Sequence, residues 1–160
     1  MKSRTVVKKV KKHLFVVVVL SALFMLSIVL FVGRPADCLG GYRDDMTIMA
    51  GSYSLIAERA DTDQSRQSGL SGRECIPEKT GMLFVFDNAD LHGIWMKDMH
   101  FSIDILWLDS TKKIIHIEEN VDPNTYPKVF YPSTPASYVL EVASGEVERA
   151  GFKLSDQLSW

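Results

Sequence analysis

The chain has 160 residues, 46% of them hydrophobic, with 18 Lys/Arg against 20 Asp/Glu and a formal net charge of −2. Residues 1–40 hold seven of the basic residues and one acid, Asp37, which leaves 11 basic and 19 acidic residues, a formal charge of −8, for residues 41–160. A domain that acidic repels phosphate backbones, so nucleic acid is excluded as a natural partner, and about 120 residues is room for one hydrophobic core.

In chain order, residues 1–13 form a basic tail carrying Lys2, Arg4, Lys8, Lys9, Lys11 and Lys12. Residues 14–32 are 19 residues without a charge, with only Ser21 and Ser27 hydroxylated. As a helix they cover roughly 28 Å, close to the hydrocarbon thickness of a bilayer, and lipid enforces the helix despite the Val and Ile content. Six basic residues precede the span and only Arg34 follows it closely. The expected topology is therefore single-pass, with the N-terminus in the cytoplasm and the rest of the chain outside. A cleaved signal peptide is the alternative, but its apolar core would be shorter and the small-residue site at Cys38 and Gly40 is weak. A lipid-modified Cys38 is disfavoured by Pro35 and Asp37. All three readings put the domain outside the cytoplasm. Cys38 and Cys75 are the two cysteines. An oxidising compartment permits a bridge, but two cysteines fix no framework and Cys38 sits in a linker, so unpaired thiols are expected.

Residues 33–45 contain Gly, Pro and Asp without apolar periodicity and read as that linker. Strands are expected over 46–49 and 52–58 around a turn at Ala50-Gly51. A helix follows, capped by Thr62, with Asp63 in its first turn, Arg66 and Leu70 on one face and Gly72 at its end. Residues 81–86 are apolar almost throughout, as in a strand buried on both faces. Further strands are expected over 93–97, 103–108 and 113–118. The segment 122–135, with four prolines, reads as a long irregular loop. A strand over 138–142, a helix over 144–150 and a closing strand over 152–160 complete the pattern. These elements make an α+β, mostly β domain over 46–160: six or seven short strands curled into a small barrel or tight sandwich, with two short helices and no βαβ alternation.

The order Arg66-x-x-Gly69-Leu70, Gly81-Met82-Leu83-Phe84-x-Phe86, Trp95-Met96-Lys97, Ile103-Asp104-Ile105 and Pro135-Ala136-x-Tyr138-Val139-Leu140-Glu141 resembles the DUF192 family. The resemblance runs from about Ile48 to the C-terminus. It implies a compact, mostly β domain, often exported, without an established reaction. Two positions depart from the family pattern: Asp98-Met99 stands where Asn-Thr is usual, and Ser155-Asp156 replaces a usual Gly-Asp.

Asp104 interrupts an apolar run and faces the same way as Leu106 and Leu108, so its carboxylate needs a partner. Glu141 poses the same problem after 138–140, and Arg66 is the natural cation for both. The expected cluster is Arg66, Asp104 and Glu141, with Lys97 at its rim. It reads either as an ion network fixing strand register, as a ligand site, or as a catalytic carboxylate pair, which needs environments that separate the two pKa values. In the loop 122–135, Tyr126, Phe130 and Tyr131 either line a binding surface, with Tyr131 as a ligand contact, or cover the end of the sheet.

His92, Met96, Met99 and His100, with His116 nearby, have the softness Cu(I) prefers. On one strand His92 and Met96 would stand about 13 Å apart, so no metal site is expected. Ser71 and Cys75 lack the setting of a nucleophile, and neither a phosphate-cradling glycine loop nor zinc-ligand spacing is present, so no cofactor is expected. Binding of a small ligand or an envelope protein is the favoured function. A carboxylate-dependent hydrolase or transferase and a purely structural envelope partner are the alternatives.

Overall fold

A computed structural model describes residue 38 and residues 42–160. The basic tail 1–13, the span 14–32 and most of the linker 33–45 lie outside the described residues. Among those described, no helix is long and apolar enough to cross a membrane.

Strands β1 (Met46–Ala50) and β2 (Tyr53–Ala60) form an antiparallel hairpin turned at Gly51, with Ala50 opposite Tyr53. Helix α1 (Asp63–Ser68) begins at Thr62, whose hydroxyl accepts from Ser65 N–H while the Ser65 hydroxyl accepts from Thr62 N–H. This reciprocal cap satisfies two otherwise unpaired donors. The helix ends at Gly69, at φ +48, and not at the expected Gly72. A Cβ at Gly69 would press on the Phe84 ring at 3.3 Å, so the missing side chain lets α1 close onto the next strand. Residues 61–79 carry the chain across so that β3 (Thr80–Asp90) lies parallel to β2, with Ile56 opposite Thr80. One βαβ connection is thus present where none was expected.

The chain continues through β4 (Ile94–Trp95), β5 (Ile103–Leu108), β6 (Ile114–Val121), a 3-10 turn (Pro123–Thr125), β7 (Val129–Phe130), β8 (Ala136–Ala143) and α2 (Glu146–Ala150). The segment 122–135 is therefore not wholly irregular: β7 lies within it and pairs with β4 in a separate two-stranded sheet. The other six strands form one mixed sheet in the order β1-β2-β3-β8-β5-β6. The expected barrel or sandwich does not form, because this sheet is open, with β1 and β6 as its edges. Nor is there a closing strand over 152–160. Instead Met49 exchanges both backbone hydrogen bonds with Ser159, at 2.9 and 3.0 Å, while Leu158 N–H reaches Lys112 O at 3.1 Å. The C-terminal segment ties the two sheet edges at one corner and covers groups that would otherwise invite a foreign strand.

Both faces of the sheet are buried, which is why β3, β5 and β8 read as near-continuous apolar runs. On one face Met82, Phe84, Ile105, Trp107 and Val139 pack under Leu70, Ile94 and Phe130. On the other, Leu83, Leu106, Leu108, Leu140 and Val142 pack under Val147, Phe152 and Leu158.

Cys38 and Cys75 form a disulfide, correcting the expectation of unpaired thiols. The described end of the linker is not free chain. The Tyr42 hydroxyl accepts from Gly81 N–H at 2.8 Å and donates to Ile56 O at 2.9 Å, and Arg43 donates to Arg59 O at 3.0 Å. Tyr42 and Arg43 thus lie along β2 and β3, and Cys38 is bonded to Cys75 of the crossover.

Candidate functional site

A cleft of about 250 Å³ opens where the end of α1 meets β3, β4 and β8. Arg66, Leu70, Phe84, Phe86, Trp95 and Glu141 are among its walls, together with the backbone of 67–71. Glu141 is set by β8, with Met82 of β3 and Ile105 of β5 as its register partners, so it lies on the face of Phe84 and Ile105. It is 5% exposed. Among the described residues no group hydrogen-bonds to its carboxylate or pairs with it within 4 Å. Burial, opposed only in part by the charge of Arg73, pushes its pKa up to about 8 from an ordinary 4.5. A carboxyl so placed is a neutral acid over much of the physiological range, able both to donate and to accept a hydrogen bond.

Arg66 lines the same cleft but does not pair with Glu141. Its Nη1 donates to Val85 O at 2.7 Å and its Nη2 to Asp63 Oδ1 at 2.6 Å. Its guanidinium lies 5.5 Å from the centre of the Phe86 ring. Asp104 is not at the cleft. Its register partner on β8 is Val142, so its side chain opens on the opposite face of the sheet from Glu141. There it is fully buried and satisfied, accepting from Asn120 N–H at 2.8 Å and from Val147 N–H at 3.0 Å. Asn120 is the positive-φ residue where the register of β6 against β5 shifts, and Val147 lies in the first turn of α2. Asp104 therefore joins a bulge to a helix start, and the expected cluster of Arg66, Asp104 and Glu141 is not assembled. Lys97 is exposed and does not line the cleft, although its carbonyl accepts from the Ser71 hydroxyl at 2.8 Å. Tyr131 stands beside the cleft, 55% exposed, packed onto Gly93, where a Cβ would meet its ring at 2.6 Å.

The soft side chains considered for copper are spread apart. His92 stacks on Phe86 at 3.5 Å between ring centres, Met96 is buried in the core, Met99 lines the cleft, and His100 faces Glu74 at 3.3 Å. His116 faces Glu118 at 3.2 Å.

Reasoning from the sequence missed one feature around the cleft. Glu58, 2% exposed, takes a two-pronged contact from Arg73, and that pair supplies the cation that acts on Glu141. The only signal for it is an acid within the apolar run of β2, the same signal that singled out Asp104 and Glu141. Of the aromatic residues singled out from the sequence, Tyr126 meets Trp95, 49% exposed, edge-on at 6.5 Å.

Residues 46–160 match the model of a family described as uncharacterised ACR proteins, DUF192. The chain belongs to the DUF192 family. The UPF0127 protein PF1050 of Pyrococcus furiosus is 31% identical over 74 residues, which make up 46% of this DUF192 chain and 57% of that protein, so the match spans little more than half of the relative's length. A protein of Sinorhizobium meliloti 1021, put forward as a transcription regulator, has a similar structure, with a TM-score of 0.66 at 30% identity over 71% of this chain and 89% of the other. A protein of unknown function from Novosphingobium aromaticivorans DSM 12444 shares the fold, with a TM-score of 0.64 at 24% identity over 71% and 82% of the two chains. The two departures from the DUF192 pattern both fall on positive-φ backbone, Asp98 at +55° and Ser155 at +75°. Asn and Gly are the residues such backbone tolerates best.

Proposed function

We propose that this DUF192 domain is the extracytoplasmic part of a single-pass membrane protein and binds a small ligand in the cleft floored by Glu141. One observation carries the binding reading: Glu141, a residue only 5% exposed, turns its carboxyl to the wall of an open cleft, with no hydrogen-bond partner among the described residues. Its oxygens face the cleft and not sealed protein, since no buried side-chain oxygen among the described residues lacks a hydrogen-bond partner, so a ligand in the cleft can reach them. The location rests on the apolar span 14–32 with its basic flank, and the Cys38–Cys75 bridge suits an oxidising compartment.

A hydrolase or transferase built on Asp104 and Glu141 is not favoured, since the two side chains open on opposite faces of the sheet. The description of the Sinorhizobium protein as a regulator is not carried over, because the −8 charge of residues 41–160 opposes DNA. Native mass spectrometry of the full chain, purified from its own membrane fraction, tests the binding reading. A co-purifying small-molecule adduct should appear on the wild type and be lost from Glu141→Leu. An adduct carried equally by both proteins, or no adduct on either, would sink it.

A further inference from the structure

The chemistry of the cleft walls narrows its ligand, on the reading that the cleft is a ligand site. We propose that it takes a neutral sugar ring of a glycan, seated against Trp95 with its hydroxyls on Glu141, the adjoining rings running over Tyr131.

The two-stranded sheet sets up the platform. Ile94 pairs with Phe130 and Trp95 with Val129, which places Gly93 across from Tyr131. Ile94 and Phe130 are buried, so Trp95 and Tyr131 share the outer face of the ribbon. Tyr126 stands edge-on to Trp95. Three aromatic side chains thus lie 47–55% exposed beside one cleft. Gly93 is bare because any side chain there would collide with Tyr131 and Val129, so the shelf is held against the cleft mouth by backbone packing. The CH face of a pyranose is apolar while its rim carries hydroxyls. A flat exposed ring next to a buried polar group matches that division. A cleft of about 250 Å³ admits a single ring and not a drug-sized ligand.

Other ligand classes fit less well. An anion would find one cation in the cleft wall, Arg66, whose charge is already shared with Asp63 and whose Nη1 donates to Val85 O, while Arg73 is paired with Glu58. An ammonium would need a counter-charge, and burial keeps Glu141 protonated up to about pH 8. A protonated carboxyl is instead a donor and an acceptor together, the pairing a hydroxyl asks for.

The test is calorimetric titration of the full chain, held in lipid nanodiscs, with maltotriose and tri-N-acetylchitotriose as neutral glycans and tetramethylammonium chloride as a cation. Saturable binding of at least one trisaccharide is expected. It should weaken about tenfold or more in Trp95→Ala and in Glu141→Leu, and stay within about threefold in Glu141→Gln, which keeps a donor and an acceptor. Trp95→Ala removes an exposed ring, so its result does not depend on the fold surviving a change at Glu141. Binding of tetramethylammonium alone would overturn the sugar class while leaving the cleft as a ligand site. Trisaccharide binding unmoved by Trp95→Ala would place the sugar elsewhere and overturn the proposal. No binding of any probe, together with adduct-free native spectra, would overturn both the sugar class and the ligand-site reading.

Discussion

Glu141 is a residue only 5% exposed, and its carboxyl, open to the cleft, has no protein hydrogen bond among the described residues. Folding therefore holds a proton there: its pKa is about 8 in the fold against an ordinary 4.5. Between those values the folded chain keeps a proton that the unfolded chain has released, so this group's stability contribution is full at pH 4.5 and below and is lost as pH rises toward 8. At about 1.4 kcal/mol per unit the loss across that window is several kcal/mol. Glu141→Gln carries no titrating group, so its melting temperature should fall less between pH 5 and pH 8, and at pH 8 it should melt above the wild type. Parallel melting curves for the two proteins across that range would refute this. Asp104 makes the contrast at the same scale, since it is equally buried but meets two backbone N–H groups and serves as a brace. Alternation along β5 correctly places Asp104 with Leu106 and Leu108. Which face Glu141 takes depends on its being opposite Ile105 and not Asp104, and a one-residue slip would have joined the two acids. Register between strands whose partners stand 30 to 40 positions apart is not written in either strand alone, which is why Asp104 leaves the expected cluster while Arg66 and Glu141 line one cleft without pairing.

Among the elements, those fixed by local chemistry were legible. The Thr62 cap, the hairpin at Gly51 and the apolar runs of β3, β5 and β8 follow from neighbouring residues. What escaped were the long-range pairings: the parallel joining of β2 to β3, the two residues of β7 amid prolines, and the C-terminal segment, which spends its hydrogen bonds on two different edges instead of forming a strand. That segment turns at Ser155, whose N–H donates to Ile114 O at 2.8 Å while its backbone sits at φ +75. A residue with a Cβ is strained there by roughly 1 kcal/mol, and glycine is not. Ser155→Gly restores the residue usual in the DUF192 pattern and loses no side-chain hydrogen bond. It should raise stability by up to about 0.5 kcal/mol in denaturant unfolding, after allowing for the greater chain entropy of glycine. A lower unfolding midpoint would mean that the turn relaxes in some other way.

For the whole molecule, the fate of the N-terminus and the fate of Cys38 are one question. Cleavage near Gly41 would remove Cys38 and leave Cys75 without the partner it has here, and a lipid on the Cys38 sulfur would block the same bond. The bridge therefore argues against any processing that removes Cys38, such as cleavage near Gly41. It also closes a loop between positions 37 apart, which in the chain-entropy model is worth about 3–4 kcal/mol of stability. Both consequences can be read from one preparation. Protein from the membrane fraction, alkylated before any reductant is added, should give peptides beginning at Met1 or Lys2 and should leave Cys38 and Cys75 unmodified. The same material should melt at a markedly lower temperature after reduction. A mature N-terminus near Gly41 with an alkylated Cys75 would overturn the retained anchor and the bridge together. An intact N-terminus with both cysteines alkylated would spare the anchor and assign the stability of the domain to its core alone.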